Sequence, residues 1–86
     1  MSVYVDHSEN ILGRMKMCHM MADTEEELHA MAARIGLKRE WFQPKSSPHY
    51  DVSKEKRALA VKYGAKEVNR RELVAVIQRL RAERKP

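Results

Sequence analysis

The run "MKMCHMM", residues 15–21, constrains the fold more than any other part of the chain. Seven positions hold four methionines and the only cysteine, with one lysine and one histidine among them. So short and apolar a stretch reads as a strand buried on both faces. Alternation then puts Met15, Met17, His19 and Met21 on one face and Lys16, Cys18 and Met20 on the other. Lys16 marks where the second face starts near solvent. Cys18 and His19 point oppositely, which argues against a joint Cys–His site within the strand. Methionine is a flexible core filler, so the run reads as core rather than as a Cu(I) site. Cys18 stands alone between apolar neighbours and reads as an inert thiol. That leaves His19, an imidazole at the edge of a pocket.

The flanking segments supply the rest of the layer. Ser2–Asp6 is rich in β-branched and aromatic residues and reads as a strand, while "HSENILGR" reads as a loop. In "ADTEEELHAMAARIGL", Thr24 with Glu27 forms a capping box, and three glutamates crowd the first turn. Leu28, Met31, Ala32 and Ile35 form the apolar stripe, and Gly36 ends the helix. A connector with Trp41, Phe42, Pro44 and Pro48 leads to "HYDVS", a short strand whose Ser53 caps a helix running toward Gly64. "AKEV" reads as a brief strand. Asn69 with Glu72 opens a third helix striped by Leu73, Val76, Ile77 and Leu80. The order β-β-α-β-α-β-α predicts a small compact α/β domain, three helices covering a small sheet. Residues 1–86 form one domain, with 79–86 as a fraying basic end.

Hydrophobic residues make up 43% and charged residues 34% of the 86, an ordinary globular balance. A single cysteine forbids an internal disulfide, and the N-terminal residues lack the pattern of a signal peptide. No apolar run approaches the roughly 20 residues of a membrane span. The expected setting is the cytoplasm. Charge is uneven: residues 1–53 carry six Lys/Arg against eight Asp/Glu, and residues 54–86 carry eleven against four, a local excess of +7. The second half is the one suited to a polyanion.

The candidate site residues sit at element junctions: Asp6, His19, Asp23, His29, His49, Tyr50 and Asp51. Strand ends and helix starts are where α/β domains hold ligands. Imidazoles with carboxylates also make a divalent-metal donor set, for which His19, His49 and Asp51 are the candidates. In the hydrolytic reading a metal activates water, His49 or Asp51 serves as the catalytic base, and Arg57 clamps a phosphorylated or nucleotide-like ligand. Bland roles compete. Asp6 suits a turn, Asp23 a helix cap, and His29 a surface pair with Glu25. The rival class is a nucleic-acid- or protein-binding module using Arg70, Arg71, Arg81 and Lys85, for which weak, non-specific nucleic-acid binding is expected because glutamates interrupt the basic faces. No nucleophile elbow, phosphate loop or HExxH is present.

Taken in order, "GRMKMCHMMADT", "ELHAMAARIGL", "HYDV" and "GAKEVNRREL" resemble a family of small bacterial and phage proteins known as domain of unknown function 4031. The resemblance runs from "YVD" to the last helix and implies a shared pocket built on Asp6, His19, Asp23, Glu27, His29, His49, Tyr50 and Asp51. Family members commonly carry an acidic residue where this chain has Pro48, and some carry a second one where it has His7. The resemblance implies no activity.

Overall fold

In the computed structural model, residues 2–7, 10–12, 15–44 and 47–83 are described. The elements are β1 (Val3–Val5), β2 (Asn10–Leu12), β3 (Met15–Ala22), α1 (Glu25–Arg34), a 3-10 turn (Arg39–Trp41), β4 (Tyr50–Ser53), α2 (Lys54–Lys62), β5 (Lys66–Glu67) and α3 (Arg70–Glu83). The apolar run is indeed the organising strand. Met17 pairs with both Asn10 and Ser53, and Met20 with both Val5 and Tyr50. β4 therefore holds one edge of β3, while β1 and β2 share the other in series. β5 joins β1 in parallel and makes the sheet mixed. The loop expected over residues 7–14 contains the short strand β2, because β3 is extended from Met15 onward and its free edge templates the returning chain.

Alternation along β3 sorts the chemistry by face. Cys18, Met20 and Ala22 join Val3, Val5, Tyr50 and Val52 in the main core, under Leu28, Ala32 and Ile35 of α1 and its C-cap and under Ala60 of α2. Met21 and Tyr4 form a smaller core on the opposite face with Val68 and Leu73, against which Val76 and Ile77 of α3 pack. Burying a side chain such as Leu28 contributes about 1.5–3 kcal/mol, so the first face carries most of the stability. α3 packs on the Tyr4–Met21 part of the second face. The His19 part of that face lies outside this smaller core.

The helix signals act where the sequence puts them. Thr24 Oγ1 accepts from Glu27 N at 3.1 Å and itself donates to Glu27 Oε1. Ser53 Oγ accepts from Lys56 N, and Asn69 and Glu72 form a reciprocal capping box at 2.8 and 3.0 Å. Gly36, at φ +87°, lets Leu37 N return to Ala32 O and closes α1. α3 continues in helical form from residue 79 to Glu83, where the sequence suggests fraying, and Arg79 is engaged there. Residues 84–86 lie outside the described residues, as does the Lys85 of the nucleic-acid alternative. Among the described residues no helix is long and apolar enough to cross a membrane.

Candidate metal centre

Asp51 and His19 are register partners on adjacent strands, and His49 lies two residues before Asp51 on the same side of β4. Period-2 alternation thus aims all three side chains at one spot on the second face. One donor atom from each lies within 4.8 Å of the other two. Asp51 Oδ1 is 3.5 Å from His49 Nε2 and 3.9 Å from His19 Nε2. Donor atoms bound to one zinc at about 2.0–2.2 Å stand roughly 3–3.5 Å apart, so the cluster is nearly at coordination spacing. The two imidazoles meet edge to face, at an interplanar angle of 71°.

Each donor is held from behind. Asp6, only 2% exposed, accepts from His19 N at 2.7 Å through Oδ1 and contacts His19 Nδ1 at 2.9 Å through Oδ2. An ionised carboxylate can only accept, so the neutral imidazole carries its proton on Nδ1 and presents the Nε2 lone pair to the cluster. His49 repeats the arrangement, its Nδ1 donating to Ser47 O at 2.8 Å. Gln43 Nε2 donates to Asp51 Oδ2 at 2.6 Å, and Gln43 also exchanges two backbone hydrogen bonds with His49. Fixing the far nitrogen of a ligating histidine on a carboxylate or carbonyl is the usual support of a metal site. The Asp6 hydrogen bond raises the pKa of His19 above its ordinary value. Burial opposes the rise, and the charges of Asp6 and Asp51 assist it.

The other candidates lie elsewhere. His29 is on α1, over the opposite face of the sheet, where its Nδ1 meets the buried Tyr50 hydroxyl at 2.8 Å and its ring packs against Phe42. Burial raises the pKa of that hydroxyl, partly offset by Arg39. Asp23 ties the ends of the fold together, accepting from Ser2 N, Tyr4 Oη and the Arg79 guanidinium. Burial pushes its pKa up, but those donors outweigh it and hold the carboxyl below its usual value. Arg57 Nε donates to Asp6 O and its Nη2 pairs with Glu67 at 2.8 Å, so the guanidinium clamps β1 to β5. Arg70, Arg71 and Arg81 are exposed on α3, and Arg81 reaches Ser47 Oγ at 3.5 Å. The structure therefore brings together His19, His49 and Asp51 with Asp6 behind them, and leaves Asp23, His29, Tyr50 and Arg57 outside.

Sequence reading passed over Gln43 and Ser47. The one signal for them is the composition of "QPKSSPH", two prolines and two serines just before His49, a turn-forming mix. A cleft of about 510 Å³ adjoins the cluster along β4, lined by Met17, Leu37, Trp41, Gln43, Asp51, Ser53 and Lys56. Asp51 belongs to both.

Comparison with curated proteins and with solved structures returns no match. The family model described as "Protein of unknown function (DUF4031)" matches residues 3–80 and so spans every strand and most of α3, which places this chain in that family.

Proposed function

We propose that the protein binds a divalent transition metal through His19 Nε2, His49 Nε2 and Asp51 Oδ1, and that it acts as a metal-assisted hydrolase of a phosphorylated small molecule. The observation that carries this reading is the pair of imidazoles whose Nδ1 atoms are committed, to Asp6 and to Ser47 O, so that both Nε2 atoms face one carboxylate oxygen of Asp51. Two histidines and a carboxylate suit zinc, iron or manganese and leave coordination positions for water and substrate. A bound divalent cation lowers the pKa of water and polarises a phosphoryl oxygen. His49 and Asp51 would serve as ligands rather than as general base, and the metal they hold would supply an activated water as nucleophile. Asp6 is a positioning residue, acting through His19. The adjoining cleft gives the substrate a place beside Asp51.

Chelator-treated protein, titrated with Zn²⁺, Mn²⁺ and Co²⁺, tests this reading by thermal unfolding and by turnover of a generic phosphoester. At a metal concentration 100-fold above Kd the expected stabilisation is about 2.7 kcal/mol. For a domain of this size that raises Tm by about 10–20 °C. H49A should abolish both the shift and the turnover while keeping its fold. A metal-induced shift without turnover would leave a binding protein and remove the hydrolase. No shift with any of the three metals would remove the metal site.

A further inference from the structure

Trp41, the only tryptophan, is 49% exposed, whereas its neighbour Phe42 packs against the main core. The 3-10 turn Arg39–Trp41 places the indole on the wall of the cleft. Met17 and Leu37 continue the apolar wall, and the remaining lining is polar. Two cations attend it. Lys38 Nζ stands 5.6 Å from the indole centroid. Lys56 lines the cleft and uses one of its three ammonium protons on Ile35 O at 2.8 Å. The cleft volume of about 510 Å³ falls in the range typical of small-molecule sites.

A flat aromatic face, an ammonium and a candidate metal carboxylate within one cleft match a ligand that is planar at one end and anionic at the other. A sugar phosphate has no planar aromatic ring to stack, and a free base has no anion to neutralise. Resting on the metal reading for the fate of the phosphate, we propose that this cleft takes a nucleoside monophosphate, its base stacked on Trp41 and its phosphate held between Lys56 and the metal at Asp51. Stacking on an exposed aromatic side chain tolerates any base, so the cleft selects for the class of ligand rather than for one nucleobase.

Trp41 reports on its own ligand. Chelator-treated protein is titrated with adenosine 5′-monophosphate, adenosine and ribose 5-phosphate, followed by indole fluorescence and by calorimetry. The monophosphate should quench the indole with a saturable curve at or below about 1 mM. Ribose 5-phosphate should not quench, and adenosine should bind about tenfold more weakly than its monophosphate. By calorimetry W41L should lose about tenfold or more in affinity and W41F should retain most of it. Lys56→Gln should weaken the monophosphate and leave adenosine unchanged. Added Zn²⁺ should tighten the monophosphate in wild type and not in H49A. If zinc adds nothing while the monophosphate still binds through Trp41, the metal reading fails and the cleft assignment stands. Equal binding of ribose 5-phosphate and the monophosphate, undiminished affinity in W41L, or absence of saturable quenching would each overturn it.

Discussion

Replacing Asp6 by asparagine should switch off the metal site without touching a metal ligand. Asp6 Oδ1 faces His19 N, and Oδ2 faces His19 Nδ1. The backbone N–H can only donate, so the carboxamide oxygen of D6N must turn toward it. The amide NH2 then faces Nδ1, which has to accept, and the imidazole proton moves to Nε2. Nε2 is the atom that should bind the metal, and protonated it cannot. Loss of such an orienting partner costs about 10–100-fold in metal affinity. Two hydrogen bonds to a buried carboxylate, each contributing about 1.5–3 kcal/mol, are also exchanged for neutral ones of about 0.5–1.5 kcal/mol, a net cost of about 2–3 kcal/mol in stability. For a domain of this size that lowers Tm by about 8–24 °C. Long-range ¹H–¹⁵N correlation spectra of the imidazole rings report the tautomer, and calorimetry with Zn²⁺ reports affinity. The expected result is an Nδ1–H tautomer at His19 in wild type, an Nε2–H tautomer in D6N, and weakened zinc binding only in D6N. A wild-type Nε2–H tautomer, or unchanged affinity after the tautomer has switched, would refute this reasoning.

His29→Ala should destabilise the fold by emptying the space beside Phe42 and Tyr50 yet leave metal affinity within twofold of wild type, since His29 lies across the sheet from the cluster; paired unfolding and calorimetric titrations check this. Asp23 has a folded pKa below its ordinary 3.8, so the stability it contributes is present above that pH and is lost as pH falls through the folded value. The gap in urea-unfolding midpoint between wild type and D23N should accordingly be full at pH 6 and close as the solution is acidified below about 3.8. Gly36→Ala should cost about 1–2 kcal/mol from its left-handed backbone. The new Cβ would also stand 3.0 Å from Lys56 Nζ, so a small chemical-shift change at the Lys56 ammonium should accompany the loss.

Periodicity carried much of this structure. The methionine run needed only its alternation to separate Cys18 from His19, and the capping pairs Thr24–Glu27 and Asn69–Glu72 marked two helix starts because they act through bonds three residues apart. Strand β2 was hidden because its pairing depends on a neighbour's free edge rather than on its own propensity. The site divided along the same line. His19, His49 and Asp51 were legible as donor types, and a strand's two-residue period puts His49 and Asp51 on one side. Whether His29 or Asp23 would join them depended on which face α1 covers and on where α3 docks, which are long-range matters. Asp23 looks like a ligand in sequence because a carboxylate before a helix suits either role; the contact that decides between them comes from Arg79, 56 residues away.

The most direct test of the account is cobalt substitution followed by visible absorption. Co²⁺ added to metal-free wild-type protein should give d–d bands of a low-coordinate nitrogen and oxygen site, saturating at one ion per chain. H19A, H49A and D51N should each lose the bands, while H29A and D23N should keep them. Bands that persist in H49A, or that vanish in H29A, would contradict the assignment of the metal to His19, His49 and Asp51.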